Sequence, residues 1–247
     1  MNKTVLITGG LGFLGRSVAN IFNSKNYDVF GLGHGNVNDL RWKEIGYKTW
    51  KEGDISYENL IEFDRSFDTI VHCANDVSVY NSIQDPLKNY ESSIQITQAL
   101  ISFIQQSSKS PHLIFPSSAA VYGDIGDMPI KEDSIYNPIS PYGKNKLISE
   151  KLLKKLSQEI DMKLSIIRFF SIYGPGQKKQ LLWDAYEKLT SNGSQAIFFG
   201  TGEETRDWMY IEDASRLILH LSEMQNPPFL INGASGIRMT PGDASNP

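Results

Sequence analysis

Tyr142 and Lys146 combine the side-chain types and the spacing of an acid–base pair. Ser140 and Pro141 are residues that often begin a helix, and side chains four residues apart lie on one face of a helix. A tyrosine hydroxyl has a pKa of about 10, and a neighbouring ammonium group favours the phenolate. The spacing therefore predicts that Tyr142 is a general acid/base supported by Lys146. Taken alone, the pair also fits a buried aromatic ring beside a solvated helix charge.

A glycine-rich turn, TGGLGFLG, follows the first apolar run of the chain. Gly9, Gly12 and Gly15 recur every three residues, with Phe13 and Leu14 between the last two. Glycines there permit a positive φ, a close approach of the backbone to a pyrophosphate, and tight packing of the next helix on the strand. The N-terminus of that helix offers free N–H groups to an anion. The pattern predicts a dinucleotide-binding turn, and a tight turn without a ligand is the alternative.

A regular alternation of strands and helices must position these residues. Short β-branched or aliphatic runs predict strands over 4–8, 28–32, 69–72, 113–117 and 164–170. Amphipathic stretches predict helices over 14–24, 57–63, 87–106 and 141–160. Such an alternation forms a parallel sheet covered on both faces, so we expect a doubly wound α/β sheet of the Rossmann type. Ligands of such sheets bind at the carboxyl ends of the strands.

The sequence becomes rich in turns after residue 170, around short strands and a helix predicted over 213–224. We expect residues 1–170 to form a dinucleotide-binding domain that carries the catalytic residues. Residues 171–247 are expected to form a small C-terminal substrate-binding lobe. No linker rich in proline, glycine or serine separates the two parts, so we expect them to be interleaved.

The composition indicates a folded protein of a reducing compartment. The chain has 247 residues, of which 40% are hydrophobic and 21% charged, which suits a domain with a substantial core. The formal net charge of -4, without a basic stripe, argues against a nucleic-acid partner. No apolar run is long enough for a bilayer. Cys73 is the single cysteine and the histidines lack metal-ligand spacing, so we expect a cytoplasmic protein without a metal site.

The glycine-rich turn opens an ordered series of segments that resembles the extended short-chain dehydrogenase/reductase signature, in the NAD-dependent epimerase/dehydratase branch. The later segments are GDI at 53–55, IVHCAN at 70–75, FPSSAAVYG at 115–123, YGKNK at 142–146, RFFSIYGPGQ at 168–177 and GTGEETRDWMYIEDA at 200–214. Together they span nearly the whole chain. The resemblance implies a nucleotide-sugar substrate and hydride transfer between the sugar and a nicotinamide.

The resemblance also assigns the reacting groups. Ser118 stands four residues before Tyr122 of VYG, the position of the family's catalytic hydroxyl, and would hydrogen-bond the sugar oxygen that gains or loses a proton. Tyr142 would exchange that proton, and Lys146 would also hold the nicotinamide ribose. Ser117 is expected to be a strand-end serine bonded to backbone.

A longer set of residues is expected to line the cofactor. Asp54 would accept a hydrogen bond from the adenine amine, and the IVHCAN segment would pass beside the cofactor ribose. The expected cofactor contacts are Gly9, Gly12, Phe13, Leu14, Gly15, Gly33, His34, Asp54, Ile55, Cys73, Ala74, Asn75, Tyr142, Lys146 and Phe169.

Three residues are expected to contact the nucleotide sugar: Ser118, Ser171 and Arg206. Arg206 resembles the arginine that grips the pyrophosphate, a task suited to its planar fork of donors. The alternative is an exposed arginine paired with Glu203 or Asp207. Ser171 replaces the asparagine that contacts the sugar in many members, which leaves the identity of the sugar open.

Two departures from the family pattern bear on the reaction. Ala119 and Ala120 stand where the family's 4,6-dehydratases carry an Asp and a Glu, so we exclude elimination of water. Gly33 stands where NAD-preferring members carry an acidic residue for the ribose 2′-hydroxyl. His34, Arg16 and Arg41 are candidate cations for a 2′-phosphate, so NADP is favoured and NAD is the alternative cofactor.

These observations favour an NADP-dependent reductase of a nucleotide-linked 4-keto sugar. The alternative is a nucleotide-sugar 4-epimerase with tightly bound NAD, and a more distant one is a non-catalytic NADP sensor. The resemblance implies a homodimer through the helices at 87–106 and 141–160. It also implies that the substrate lobe is abbreviated or that the chain is a fragment, since the family continues beyond FLINGAS.

Overall fold

The computed structural model describes residues 2–35, 41–75, 79–126, 129–178, 181–191, 201 and 203–240. The strands in these ranges are β1 (Thr4–Thr8), β2 (Asp28–Gly33), β3 (Thr49–Glu52), β4 (Thr69–His72), β5 (His112–Ser118), β6 (Leu164–Phe169), β7 (Ser171–Tyr173), β8 (Arg206–Tyr210), β9 (Leu230–Gly233) and β10 (Arg238–Met239). The helices are α1 (Phe13–Ser24), α2 (Arg41–Glu44), α3 (Tyr57–Ile61), α4 (Val79–Gln84), α5 (Pro86–Gln105), α6 (Pro141–Glu159), α7 (Leu181–Ser191) and α8 (Ile211–Glu223).

Seven of the described strands form one parallel sheet, in the order β3-β2-β1-β4-β5-β6-β9. Thr8 at the end of β1 pairs in register with Leu32 of β2 and His72 of β4, so these carboxyl ends are level. The strand order reverses between β1 and β4, which is where doubly wound sheets bind their ligands. The predicted doubly wound α/β sheet is confirmed.

Both faces of this sheet are buried, and the first strand shows the reason for its unbroken apolar run. Val5 and Ile7 pack in the apolar cluster beneath α1 and α8, whereas Leu6 packs in the cluster beneath α5 and α6. Successive side chains of a strand point to opposite faces, so a strand covered on both sides must be apolar at every position.

The residues after 170 divide between two sheets. β7 pairs parallel with β8, and β10 pairs antiparallel with β8, which makes a small separate sheet. β9 instead returns to the main sheet beside β6, and α8 packs on α1. The chain after residue 170 thus leaves the main sheet and returns to it, and the substrate-binding lobe stays a prediction.

The five predicted strands are present, and both ends of each lie within one residue of the predicted ends. The predicted helices are also present, and both ends of each lie within two residues of the predicted ends. The helix predicted over 213–224 is α8, which begins at Ile211. α5 and α6 pack against each other, and the homodimer through them stays a prediction. Among the described residues, no helix has the length and apolar character needed to cross a membrane.

Candidate active site

The glycine-rich turn between β1 and α1 leaves room that a side chain would fill. Gly9 has a φ of +67°, and a Cβ atom there would lie 2.7 Å from the backbone nitrogen of Ala74. A Cβ atom on Gly15 would lie 2.5 Å from the carbonyl oxygen of Gly9. The turn can therefore approach both the end of β4 and its own helix only because these residues lack side chains.

The N-terminus of α1 is suited to an anion. Gly12 is the N-cap residue, and no side chain among the described residues caps the helix. The first turn, which contains Phe13, Leu14 and Gly15, consequently presents backbone N–H groups without helical partners. Those N–H groups and the positive end of the helix dipole favour a phosphate. The turn fits the pyrophosphate of a dinucleotide.

Replacing Gly9 by alanine is expected to weaken dinucleotide binding by at least about tenfold, because the new Cβ atom would displace the Ala74 backbone. Gly126→Ala is the matched control: Gly126 also has a positive φ, +74°, but a Cβ atom there meets nothing within 4 Å. Both variants carry the strain of a left-handed residue, of about 1–3 kcal/mol. Calorimetric titration of the proteins, first depleted of nucleotide, with NAD measures the difference, and equal NAD affinities in the two variants would contradict the role of Gly9.

Gly33 has a backbone reason for lacking a side chain. Its φ is +157°, and a Cβ atom there would lie 3.3 Å from the Cα atom of Gly9. Residues with a side chain rarely adopt this φ, so an acidic residue would be strained at this strand end. The backbone at residue 33 thus also favours glycine, and Gly33 alone does not establish a preference for NADP.

His34 and Asp54, both expected near the adenosine end of the cofactor, lie together. The His34 Nε2 atom is 3.2 Å from Asp54 Oδ1, and both side chains are exposed. The buried Ile55 follows directly. A carboxylate beside His34 repels a 2′-phosphate. Arg16, another candidate cation, instead donates a hydrogen bond to the carbonyl of Gly176 at 3.1 Å.

The end of β4 is tied to the end of β1 by a buried hydrogen bond of 2.7 Å between Thr8 Oγ1 and His72 Nδ1. Burial, together with the charge of Lys146, lowers the pKa of His72 to about 3, so this imidazole is neutral. Ala74 donates its N–H to Thr8 Oγ1 at 3.4 Å, and Asn75 Oδ1 accepts a hydrogen bond from Ser93 at 3.0 Å. These bonds hold the expected ribose wall next to the glycine-rich turn.

Cys73 lies in the same wall and is half-buried. Burial raises the pKa of its thiol to about 12, against the opposing effect of the Lys146 charge. The thiol is therefore protonated at neutral pH, and a protonated thiol is a poor nucleophile.

The first turn of α6 places Tyr142 at the carboxyl edge of the sheet. Ser140 is the N-cap residue, and its Oγ accepts the N–H of Gly143 at 3.1 Å. A Cβ atom on Gly143 would lie 2.4 Å from the carbonyl oxygen of Ala120, so α6 begins in direct contact with the 3₁₀ turn that follows β5. Tyr142 is half-buried there, next to the strand end that carries Ser118.

Lys146 lies one helical turn further and is buried, with 4% of its surface exposed. Its Nζ donates a hydrogen bond of 2.8 Å to the carbonyl of Pro116 on β5 and lies over the Phe115 ring. An ammonium group has three donors, and the bond to Pro116 uses one of them. Tyr142 and Lys146 thus share one face of α6, and the ammonium is fixed on the strand that ends at Ser118.

Burial lowers the pKa of Lys146 to about 8, although Cys73 and Glu150 both act to raise it. We expect kcat/KM to fall above about pH 8, because a deprotonated Lys146 no longer favours the Tyr142 phenolate. A pH profile measures this, and Lys146→Arg should remove the fall because arginine stays charged. A wild-type profile that stays flat to the ordinary lysine value of 10.5 would contradict the assignment.

Ser118 ends β5 and is the N-cap of the 3₁₀ turn. Its Oγ accepts the N–H of Ala120 at 3.2 Å, and no acceptor for its own proton lies within the part of the chain that the structure describes. The hydroxyl can therefore donate to a ligand oxygen. Phe169, the expected cofactor contact on β6, is the register partner of Ser118.

The expectation that Ser117 bonds to backbone is wrong. Its hydroxyl donates to Glu150 Oε1 at 2.5 Å, because the residue is buried and faces α6. Glu150 also receives two bonds from Arg168, from Nε at 3.1 Å and from Nη2 at 2.7 Å. Arg168 is 1% exposed and lies between the rings of Tyr122 and Tyr136. A buried ion pair thus joins β5, α6 and β6 beneath Ser118, and sequence reasoning did not find it.

Ser171 and Arg206, the two outer residues expected to contact the substrate, lie in the small sheet. Ser171 begins β7, half-buried, and pairs in register with Trp208 of β8. Arg206 begins β8 and is exposed, and no ion pair to it forms within the described residues. Asp207, the expected alternative partner, accepts three hydrogen bonds from Ser235 and Gly236 instead. Of the GTGEETRDW segment, Gly200 and Gly202 lie outside the described residues.

The fold and this arrangement define a dinucleotide-binding enzyme of the extended short-chain dehydrogenase/reductase type. The chain belongs to the NAD dependent epimerase/dehydratase family, whose model matches residues 5–232.

Comparisons with individual proteins agree. The chain is 27% identical over 230 residues to a putative UDP-glucose 4-epimerase of Methanocaldococcus jannaschii, covering 90% of this chain and 74% of that protein. It is 31% identical over 249 residues to a dTDP-D-glucose 4,6-dehydratase of Dictyostelium discoideum, covering 91% of this chain and 57% of the relative. The UDP-glucuronic acid 4-epimerase of Bacillus cereus, solved with UDP-glucuronic acid and NAD, superposes with a TM-score of 0.84 at 25% identity, over 97% of this chain and 80% of the solved chain.

Proposed function

We propose that this chain is an NAD-dependent nucleotide-sugar 4-epimerase. The observation that supports the proposal is that α6, which carries Tyr142 and Lys146, begins against the turn that follows Ser118, and that Lys146 bonds to β5 two residues before Ser118. Two of the three relatives described above are named as 4-epimerases, and one of them was solved with NAD.

Each of the three residues has a defined task in this reaction. Tyr142 removes the proton of the sugar 4-hydroxyl and returns it to the 4-oxygen once the configuration has changed. Ser118 donates a hydrogen bond to that oxygen while its charge changes. Lys146 holds the positive charge that favours the phenolate of Tyr142. The glycine-rich turn and Lys146 would hold NAD, which would supply a reversible hydride acceptor for C4 of the sugar.

Two other reactions of the family fit the site less well. The reductase was favoured because Gly33 pointed to NADP, whereas the solved relative described above was solved with NAD and the backbone at residue 33 also favours glycine. A dehydratase needs an acid and a base beside the sugar, and Ala119 and Ala120 occupy the start of the turn after Ser118. The epimerase needs the three residues of the proposed site and NAD, with which the solved relative described above was solved.

The test is to purify the chain, release its nucleotide by denaturation, and identify that nucleotide. The native protein is then incubated with UDP- and dTDP-linked hexoses without added cofactor, and the sugars are followed by NMR. We expect bound NAD and interconversion of a pair of C4 epimers. Consumption of NADPH with a nucleotide-linked 4-keto sugar, without any epimerisation, would instead establish the reductase.

A further inference from the structure

The first backbone N–H groups of α6 have no partner within the helix and bond elsewhere. The first residue, Pro141, has no N–H, and the N–H of Gly143 is taken by Ser140 Oγ. The remaining early donor belongs to Tyr142 itself. Its N–H donates to Ser82 Oγ at 3.2 Å, and the ordinary helical bonds begin with the N–H of Lys144 to the carbonyl of Ser140.

The Ser82 hydroxyl can only accept a hydrogen bond from the Tyr142 N–H. It lies on α4, has no exposed surface, and donates its own proton to the carbonyl of Val79 at 2.7 Å. With its proton committed, its oxygen presents lone pairs to the Tyr142 N–H. α4 packs against both α5 and α6, so the helix that carries this hydroxyl is itself fixed in place.

We propose that Ser82 is a positioning residue for the reaction, holding the backbone of Tyr142 so that its phenol meets the sugar oxygen. The proposal rests on the proposed function, because it takes Tyr142 as the acid/base. Residue 82 lies 60 positions before Tyr142 and belongs to none of the segments that carry the family resemblance. Only the fold brings it to the catalytic helix.

The physical reason is that helix ends are the least ordered part of a helix. Tyr142 is the second residue of α6, where no helical hydrogen bond restrains its N–H. A misplacement of about 1 Å can reduce a rate by about 10²-fold. A second serine that restrains the same turn from another helix therefore acts on the rate of proton transfer, and leaves the glycine-rich turn untouched.

The experiment compares Ser82→Ala with Ser82→Thr, which keeps the hydroxyl. Ser92→Ala is the matched control, because Ser92 on α5 makes the same bond to a carbonyl three residues earlier, that of Asn89, and is exposed. The holoenzyme of each variant is assayed for kcat and KM, and amide hydrogen exchange is measured at Tyr142. Should Ser82→Ala fail to fold, Ser82→Cys, a weaker acceptor, replaces it.

We expect Ser82→Ala to lower kcat by about tenfold, well inside the range for misplaced groups, with KM and NAD content unchanged and with faster exchange at Tyr142. Ser82→Thr should restore both values, and Ser92→Ala should match the wild type. Unchanged kcat, or unchanged exchange at Tyr142, would overturn the proposal. Inactivity of the wild-type chain toward every nucleotide sugar would overturn the proposed function, while exchange would still decide whether Ser82 holds Tyr142.

Discussion

Replacing Tyr142 by phenylalanine is expected to lower kcat by about 10²- to 10⁴-fold, the range that a positioned acid/base contributes. The ring stays, so the half-buried packing of this residue is kept and only the proton carrier is lost. Lys146 cannot take over, because its ammonium is bound to the carbonyl of Pro116 and is an acid without a free lone pair.

The control for this prediction is Tyr57→Phe, which also removes one phenol hydroxyl. Tyr57 lies on α3 and bonds to Gln106, and it is none of the residues assigned to the catalytic or cofactor site. Steady-state kinetics with the accepted nucleotide sugar gives kcat and KM, and the released NAD shows that the cofactor site is intact. Wild-type kcat in Tyr142→Phe would rule out Tyr142 as the acid/base.

Arg168→Met is expected to reduce the free energy of unfolding by about 3–5 kcal/mol, because it leaves the buried carboxylate of Glu150 without its partner. Glu150 and Arg168 have exposed side-chain fractions of only 5% and 2%, so water cannot replace the lost interaction. Hydrogen bonds and the charge of Glu150 raise the pKa of Arg168 although burial opposes this. The arginine is thus charged, and its removal leaves the Glu150 carboxylate as an unpaired buried charge.

The matched control is the double variant Glu150→Gln/Arg168→Met, in which no buried charge remains. It should lose less stability than the sum of the two single variants, since each single change creates an unpaired buried charge. Urea unfolding of all four proteins gives the coupling energy. Simple additivity, or a loss below about 1 kcal/mol in Arg168→Met, would show that the pair does not hold β5, α6 and β6 together.

The main sheet could be predicted from sequence because its central strands are buried on both faces. Val5, Ile7 and their neighbours form unbroken apolar runs, and the glycine turn marks where the first run ends. β3 was missed because it is short and contributes only Trp50 to the core. β9 was missed because all of its residues but Gly233 are only half-buried at the sheet edge.

The candidate site was predictable only where a motif marks it. Ser118, Tyr142 and Lys146 stand in a recognisable order, and the structure brings their elements together. Ser82 and Arg168 act through contacts between residues far apart in the chain, so no local sequence pattern predicts their roles. Gly33 shows a limit of the motif, because its positive φ also favours glycine and the residue type alone does not decide the cofactor.

The central claim is that the hydride removed from the sugar returns to the same sugar. The direct test uses the accepted nucleotide hexose with deuterium at C4, incubated with the purified chain and no added cofactor, and mass spectrometry of the separated epimer. We predict that the deuterium stays at C4 of the product. Loss of the label, or product formed only when NADPH is supplied, would contradict the account.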